Sequence, residues 1–276
     1  MSSSLYKKAL IIGATSGIGL SLASKLLSTG THVILVGRRQ DRLSHFHSTQ
    51  PSNLTTTVPF DITDPSSIPS FAKDLSTTHP DIDVIVLNSG IQRVFDLSHP
   101  ETINLSTLDL ETTTNYTSYV HLTTALLPLL QAQSPTPTSL VYISATLGLV
   151  PGLLRTPNYN ATKTALHSFI LCLREKLKDR EDNNVKVIEV FPPAVQTELH
   201  DEKHQPETKN GGKYGMPLEA FTEQLWEGLN GGEEQVAVGP AEGILKGWEK
   251  ERQDAFHRMV EAIKVAMKDY LKGTSN

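Results

Sequence analysis

Short runs of apolar residues alternate along this chain with longer segments in which apolar residues recur every three or four positions. Unbroken apolar runs are typical of parallel strands buried on both faces, and the longer period is typical of helices packed on a sheet. The runs that predict strands lie at residues 9–12, 32–36, 58–61, 83–87, 139–144, 185–190 and 235–238. The predicted fold class is α/β, with a single Rossmann-like, doubly wound parallel sheet of about seven strands and helices on both faces.

The length of 276 residues, of which 38% are hydrophobic, suits one large α/β domain with a substantial core. We therefore predict a single domain over residues 1–276. Residues 200–215 are polar and contain two adjacent glycines, which favours a mobile segment between elements. On this basis we predict a substrate lid and helix inserted at 200–232, and a C-terminal helix over 241–276.

Three glycines, Gly13, Gly17 and Gly19, lie where the first predicted strand passes into the first predicted helix. Glycines at such a junction allow a tight turn and a close approach to a diphosphate, while the helix N-terminus offers free N–H groups and the positive end of a dipole. Any strand-to-helix turn favours glycine, so it is the strand, loop and helix context that predicts a site. The loop, including Ser16 and Ile18, is therefore predicted to bind a dinucleotide cofactor, which makes the domain a dinucleotide-binding domain.

The second predicted strand ends at Gly37, followed by Arg38. An acid at this position binds the ribose 2′-hydroxyl of NAD, whereas a 2′-phosphate requires that acid to be absent and a cation nearby. The pair therefore predicts NADP(H), and the alternative is that Arg38 and Arg39 are two solvated arginines at the start of a surface helix. Asp61, at the end of the third strand, is predicted to contact the adenine amino group, unless it is a turn acid that binds backbone N–H groups. Asn88 and Gly90, after the fourth strand, are predicted to line the cofactor side.

Tyr159 and Lys163 are four residues apart at the start of a predicted helix, so they share one helix face. A free tyrosine has a pKa of ~10, and lowering it by ~3 units takes about 4 kcal/mol, which the Lys163 ammonium and a cationic nicotinamide ring would supply together. Tyr159 would then exchange a proton with a carbonyl or alcohol oxygen. Alone the pair is weak evidence, because a packed tyrosine beside a solvated lysine has the same spacing. Ser144 places a hydroxyl at the end of the fifth strand, where ligands of open α/β sheets bind.

Taken in order along the chain, these motifs resemble the short-chain dehydrogenase/reductase family over roughly residues 7–199. The matching features are the glycine loop, Asn88-Ser89-Gly90, Asn115, the hydroxyl after the fifth strand, Tyr159 with Lys163, and residues 192–197. Residues 88–92 and 192–199 look like the branch that contains the oxidoreductases of D-alanylation operons. The resemblance narrows the branch and does not name a substrate.

The resemblance implies roles for five residues. Tyr159 would be the proton donor and acceptor, and Lys163 would hold the nicotinamide ribose and lower the tyrosine pKa. Asn115 would position a proton-relay water, and Val195 and Thr197 would hold the cofactor's carboxamide and phosphates. The family also implies a homodimer or homotetramer that associates through its long helices.

One departure from the family pattern touches the chemistry. Counting back from Gly148 puts Ala145 at the family's serine position, while thirteen residues before Tyr159 is Thr146. Side chains alternate along a strand, so Ser144 and Thr146 would share a face if the strand extends that far. We predict that Ser144 supplies the hydroxyl for the substrate oxygen, with Thr146 as the alternative. The other departures are Ile12 for Thr, Leu87 for Asn and Pro193 for Gly.

The charge of the chain argues against a general nucleic-acid binder, because a net charge of -5 and a pI near 6.1 do not provide the basic surface that phosphates require. The single cysteine, Cys172, excludes an intrachain disulfide and a multi-cysteine zinc site, and no metal site is predicted. No apolar run approaches the ~18 residues of a membrane span, and the first residues do not form a signal-peptide core. We therefore predict a cytoplasmic protein without a membrane span.

Two functions are compatible with the sequence. The first is an NADP(H)-dependent oxidoreductase that interconverts a carbonyl and a primary or secondary alcohol by hydride transfer, with a small-molecule carbonyl or alcohol as its partner. The alternative is a catalytically impaired regulatory or scaffold protein that binds NADP(H), which Ala145 and Leu87 keep open. Both would bind NADPH, and only the first would oxidise it with a carbonyl.

Overall fold

The computed structural model describes residues 4–268 and residue 270, and its centre is a seven-stranded parallel sheet. The strands are Lys8–Ile12 (β1), His32–Gly37 (β2), Thr55–Pro59 (β3), Val84–Leu87 (β4), Thr138–Ile143 (β5), Val185–Phe191 (β6) and Gln235–Ala237 (β7). Their order across the sheet is β3-β2-β1-β4-β5-β6-β7. The predicted α/β fold is confirmed.

The central strands are apolar on both faces, which is why each appears in the sequence as an unbroken apolar run. In β1, Leu10 and Ile12 face one layer of helices and Ala9 and Ile11 face the other, and all four are buried. Because side chains alternate along a strand, helices must cover both faces of the sheet.

Nine α-helices lie within the described residues and cover those two faces. They are Gly17–Ser28 (α1), Gln40–Thr49 (α2), Ile68–Thr78 (α3), Leu105–Thr112 (α4), Ser118–Gln131 (α5), Pro157–Leu177 (α6), Leu218–Asn230 (α7), Pro240–Lys246 (α8) and Trp248–Ala266 (α9). The core on one face includes side chains of α1, α2 and α7, and the core on the other includes side chains of α3, α5 and α6. In the described part of the chain, no helix is long and apolar enough to cross a membrane.

The direction in which the chain winds reverses between β1 and β4. From β1 the chain steps outward through β2 to β3, then returns to β4 on the other side of β1 and continues to β7. The loops after these two strands meet at the carboxyl edge of the sheet. Asn88 donates its backbone N–H to the Ile12 carbonyl at 2.9 Å and its side-chain amide to the Gly13 carbonyl at 2.8 Å. Ligands of open α/β sheets bind at such a switch point.

The predicted lid and C-terminal segments fall on several elements. Residues 192–217 connect β6 to α7 through short turns, and α7 itself lies beside α1, where the hydroxyls of Ser21 and Thr222 are 2.8 Å apart. The range 241–276, predicted as a helix, falls on α8 and α9, with residues 269 and 271–276 outside the described residues. The lid role of 200–232 stays a prediction.

A buried cluster of charges fastens α9 to α6 and β6. The imidazole of His167 lies between two carboxylates, with Nδ1 2.8 Å from Glu189 Oε2 and Nε2 2.9 Å from Glu249 Oε1. Arg252 contacts the imidazole and donates to both oxygens of Glu249. Burial lowers the pKa of His167, but the hydrogen bonds and charges of the two carboxylates outweigh it and raise the pKa to about 9. His167 is therefore an imidazolium at neutral pH.

We expect His167→Ala to lower the free energy of unfolding by about 3–5 kcal/mol at pH 7, because it leaves the buried Glu189 carboxylate without its hydrogen-bonded cation. Since the folded pKa is raised from 6.5 to about 9, the stability that His167 contributes is complete below about pH 6.5 and is lost as pH rises through 9. The stability difference between wild type and variant should therefore shrink over this range. Urea denaturation of both proteins from pH 6 to 10 measures it.

The difference in the free energy of unfolding between wild type and His167→Ala isolates the effect of His167. Each protein alone also becomes more stable with rising pH, because burial lowers the pKa of Lys163 in both. His257→Ala is the matched control, since His257 is an exposed histidine of α9 and its removal should change stability little. A difference that stays constant from pH 6 to 10 would mean that His167 is neutral in the fold.

Candidate active site

Helix α6 carries Tyr159 and Lys163 into the interior at the carboxyl edge of the sheet. The helix begins at Pro157, after Thr156, whose side chain makes no capping hydrogen bond. Tyr159 and Lys163 are only 6% and 3% exposed. Lys163 Nζ donates to the Ile143 carbonyl at 2.9 Å and lies 5.7 Å from the centroid of the Tyr159 ring. The two side chains therefore share one buried face, next to the end of β5.

Burial controls the charges of this pair. It raises the pKa of the Tyr159 phenol above its ordinary value, and the carboxylate of Glu111 raises it further. It lowers the pKa of the Lys163 ammonium to about 8, with a partial offset from the buried carboxylate of Glu189. The lowered tyrosine pKa expected from the sequence is therefore not a property of the polypeptide by itself. In the protein alone Tyr159 is a neutral phenol, which is a proton donor.

Asn115 lies in a π-helical turn, Thr113–Thr117, between α4 and α5. Its Oδ1 accepts from the Ile91 N–H at 3.0 Å, and its Nδ2 donates to the Ile91 carbonyl at 2.9 Å. The same Nδ2 lies 3.3 Å from Thr162 Oγ1 on α6. Asn115 thus fastens the loop after β4 to the helix that carries Tyr159, and π-turns of this kind are frequent at functional sites.

Glu111 is a residue of this site that the sequence analysis missed. It is fully buried in α4, where one carboxylate oxygen accepts from the Arg93 backbone N–H at 2.7 Å and the other accepts from the Asn158 side chain at 2.7 Å. Burial raises the pKa of Glu111, and these two hydrogen bonds offset the rise in part. The only sequence signal was an acid four positions before Asn115.

The three residues after β5 differ in what their side chains can offer a substrate. Ser144 Oγ is buried and has no hydrogen-bond partner among the described residues. Thr146 donates its hydroxyl to the Pro192 carbonyl at 2.9 Å, and Ala145 has no hydroxyl. Because the strand ends at Ile143, strand alternation does not extend to Thr146. Ser144 therefore has the one hydroxyl of this segment that is not already bonded.

The glycine loop turns from β1 into α1 through a backbone conformation that favours glycine. Gly13 has a φ of +91°, and a Cβ there would lie 2.6 Å from the Ser89 backbone nitrogen. Helix α1 then begins at Gly17, with no acidic residue in its first turn. The first N–H groups of a helix have no intrahelical acceptor, so Gly17, Ile18 and Gly19 present donors that fit a diphosphate.

Val195 and Thr197 lie on the segment after β6 that faces this loop. Val195 is buried and forms an isolated parallel bridge with Met216, while Thr197 Oγ1 accepts from the Leu199 N–H at 3.3 Å. A Cβ at Gly17 would lie 3.2 Å from the Thr197 methyl group. The two segments therefore approach each other at the N-terminus of α1.

The end of β2 has no room for an acid. A Cβ at Gly37 would lie 2.5 Å from the Thr15 methyl group, so a larger residue would displace the glycine loop. Arg38 and Asp61 are exposed, and their side chains approach to 3.6 Å. Asp61 also accepts from the backbone and hydroxyl of Thr63, at 2.9 and 2.8 Å, which is the turn-acid geometry that the sequence left open.

Arg39 and Arg42 are two further residues that the sequence analysis missed. Glu198, in the segment after β6, accepts from Arg39 at 2.6 Å and from Arg42 at 2.5 Å. Arg39 also donates to the hydroxyls of Thr15 and Ser16, at 2.7 and 2.6 Å. Partial burial raises the pKa of Glu198, but the hydrogen bonds and charges of the two arginines outweigh it and lower the pKa to about 2. An ionic bridge thus spans the glycine loop.

Within the described ranges, no three His, Cys, Asp or Glu side chains converge as a metal site requires. His200 and His204 have the four-residue spacing of a helical metal pair. Each has another partner, because His204 Nδ1 lies 2.6 Å from Asp201 and His200 packs edge-on against Tyr214.

Comparison with known proteins identifies the family. The sequence profile described as short chain dehydrogenase matches residues 7–208. The chain is 32% identical over 251 residues to the uncharacterized oxidoreductase DltE of Bacillus subtilis (strain 168), which covers 91% of this chain and 95% of that protein.

Two solved structures show how widely the fold is shared. A short chain dehydrogenase from Burkholderia cenocepacia J2315, in complex with NADP, has a TM-score of 0.72 and 22% identity, and covers 92% of this chain and 98% of its own. A short chain dehydrogenase/reductase from Burkholderia phymatum, in complex with NAD, has a TM-score of 0.75 and 16% identity, and covers 94% of this chain and 97% of its own. At these identities the likeness concerns the fold alone.

The glycine loop and the Tyr159–Lys163 pair both fall inside the matched residues. Members of this family use a nicotinamide cofactor and act as oxidoreductases on small molecules. Since the profile spans most of the sequence and the DltE match spans nearly all of it, the chain belongs to the short-chain dehydrogenase/reductase family, as an oxidoreductase of the DltE type.

Proposed function

We propose that the protein is an NADP(H)-dependent oxidoreductase that interconverts a small-molecule carbonyl and a primary or secondary alcohol, with Tyr159 as acid and base. The observation that carries this proposal is the pairing of Tyr159 and Lys163 in the interior, with Lys163 Nζ 2.9 Å from the Ile143 carbonyl. A cytoplasmic location and a homodimeric or homotetrameric assembly, both expected from the sequence, belong to the same proposal.

In this reaction the side chains of the protein supply and accept the proton. When bound, the nicotinamide would supply or accept the hydride. A phenol kept neutral by burial donates its proton to a carbonyl oxygen within hydrogen-bond reach, which favours reduction. Lys163, with a pKa of about 8, is roughly 90% protonated at pH 7 and stabilises the phenolate left behind.

Charge at the end of β2 supports NADP(H) over NAD(H). Gly37 packs against Thr15, so no acid stands where it would repel a 2′-phosphate. Arg38 is exposed beside this position, with Asp61 3.6 Å away, and offers a charge-assisted contact to phosphate. Arg39 and Arg42 share one carboxylate, Glu198, so this group keeps a net positive charge beside the glycine loop.

The second candidate is a regulatory or scaffold protein that binds NADP(H) with little turnover. The segment after β5 favours it, because Ala145 has no hydroxyl, the Thr146 hydroxyl is bonded to the Pro192 carbonyl, and Ser144 Oγ is buried. Loss of a preorganised donor to the substrate oxygen commonly costs ~2.7–4 kcal/mol of transition-state stabilisation. Turnover therefore separates the two candidates.

We expect NADPH to bind at least about tenfold more tightly than NADH, because the 2′-phosphate gains a charge-assisted contact with Arg38. Arg38→Asp should reverse the preference by placing a carboxylate beside the phosphate. Calorimetric titration with each cofactor measures both effects, and equal affinities in the wild type would contradict the assignment. Arg39→Asp is the comparison: if it reverses the preference and Arg38→Asp does not, the phosphate contact belongs to Arg39.

We expect Tyr159→Phe to abolish NADPH oxidation with a carbonyl substrate and to leave NADPH affinity largely intact, because it removes one hydroxyl and keeps the packed ring. Lys163→Ala should lower both turnover and NADPH affinity. Tyr142→Phe is the matched control, since it removes a buried phenol that bonds to Thr123 and should retain turnover. Substantial activity in Tyr159→Phe would mean that Tyr159 is a packed core residue without a catalytic role.

We expect Ser144→Ala to lower kcat by ~10²-fold with cofactor affinity unchanged, because it removes the free hydroxyl after β5. Thr146→Val should have the smaller effect, since the Thr146 hydroxyl is already bonded to Pro192. Steady-state kinetics and cofactor titration of both variants check this. A silent Ser144→Ala together with a faster Ala145→Ser would mean that the natural site lacks this donor, which favours the second candidate.

A further inference from the structure

A cavity of about 210 Å³ lies among residues 93–96, 102–104 and 107, and the lid residues 204, 206 and 207. We propose that this cavity binds an anionic group of the substrate, a carboxylate or a phosphate, through the guanidinium of Arg93. The enzyme would then act on carbonyl compounds that carry such a group. This inference rests on the proposed function and names its substrate class.

The Arg93 side chain is a half-buried cation whose charge is not neutralised by a direct ion pair. Its Nη1 donates to the Gln92 carbonyl at 2.8 Å, and none of the ion pairs in the described chain includes it. Burial lowers the pKa of Arg93 and Arg38 adds like charge, while Glu111 and Asp201 offset these effects in part. A planar guanidinium with free N–H groups binds carboxylate or phosphate oxygens in bidentate fashion.

Glu111 connects the backbone of Arg93 to the start of the helix that carries Tyr159. Its two carboxylate oxygens accept from the backbone N–H of Arg93 and from the side-chain amide of Asn158, each at 2.7 Å, so these two nitrogens lie within about 8 Å of each other. Tyr159 follows Asn158 directly.

A residue of the predicted lid contacts the loop that carries Arg93. Gln205 is buried, and its Nε2 donates to Gln92 Oε1 at 2.9 Å and to the Leu199 carbonyl at 3.0 Å. Gln92, the neighbour of Arg93, is also buried. Exclusion of water at such a contact strengthens an ion pair between substrate and guanidinium.

The other charged side chains at the cavity wall leave the guanidinium available. Asp96 Oδ2 lies 2.8 Å from His99 Nδ1, and His204 Nδ1 lies 2.6 Å from Asp201. Glu207 is exposed at the rim on the lid side. The acids on the wall are thus engaged by histidines or solvated, and an incoming anion meets Arg93 as the cation without a carboxylate partner.

The test compares two aldehyde acids, succinic semialdehyde and glutaric semialdehyde, with their methyl esters. With NADPH, the wild type should show kcat/KM at least about tenfold higher for the acids than for the esters. Arg93→Gln should reduce this ratio to about one, and Arg93→Lys should retain part of it because it keeps the charge and loses the planar fork. Arg180→Gln, which changes an exposed arginine paired with Asp182, should leave the ratio unchanged.

A second measurement needs no turnover. Calorimetric titration with glutarate, with and without NADPH, should show binding to the wild type and at least about tenfold weaker binding to Arg93→Gln. The same titration with inorganic phosphate shows whether the cavity binds phosphate or carboxylate more tightly.

The two measurements distinguish a failure of the anion site from a failure of the proposed function. Glutarate binding that depends on Arg93, with no NADPH oxidation by any aldehyde, would support the anion site and contradict the proposed function. Reduction of acids and esters at equal rates, or equal glutarate binding by wild type and Arg93→Gln, would overturn the anion site and leave the proposed function standing.

Discussion

The buried ammonium group of Lys163 is the constraint on which the rest of the site depends. Burial lowers its pKa to about 8, and the Ile143 carbonyl, at the end of β5, receives its hydrogen bond at 2.9 Å. Glu189 on the adjacent strand helps to keep the ammonium charged, and His167, one turn further along α6, lies against the same carboxylate. Lys163, which we propose supports the proton chemistry, and the cluster that anchors α9 therefore share one buried acid.

The loops at this edge of the sheet are held by polar side chains, whereas the sheet itself is held by apolar packing. Asn115 and Glu111 bind the loop after β4 to helices α4 and α6, and Glu198 joins the segment after β6 to two arginines after β2. Buried polar groups are costly when unpaired, so each of these networks favours one arrangement of its loop. Arg93 differs from these residues because its guanidinium donates to a backbone carbonyl and has no carboxylate partner among the residues that the structure describes.

Periodicity predicted the central strands, because they are apolar on both faces and leave unbroken runs in the sequence. It misplaced the third strand, predicted at 58–61, because β3 spans Thr55–Pro59 and begins with three threonines. The runs at 9–12 and 83–87 differ from β1 and β4 by one residue. The pairing of Tyr159 and Lys163 could also be predicted from the sequence, since their spacing on one helix is a local property. The contacts of Glu111 and Arg39 could not be predicted, because Glu111 lies 18 and 47 residues from its two partners and Arg39 lies 159 residues from Glu198. The bonded hydroxyl of Thr146 likewise depends on a carbonyl 46 residues away.

The most direct test of the oxidoreductase assignment is to follow the hydrogen itself. The protein is incubated with NADPH that carries deuterium at both C4 positions of the nicotinamide and with a mixture of aldehydes and ketones, and the alcohols that form are analysed by mass spectrometry. We expect an alcohol with one deuterium on its carbinol carbon for each NADPH oxidised, and no such product with Tyr159→Phe. NADPH that binds stoichiometrically while no alcohol acquires deuterium would contradict it.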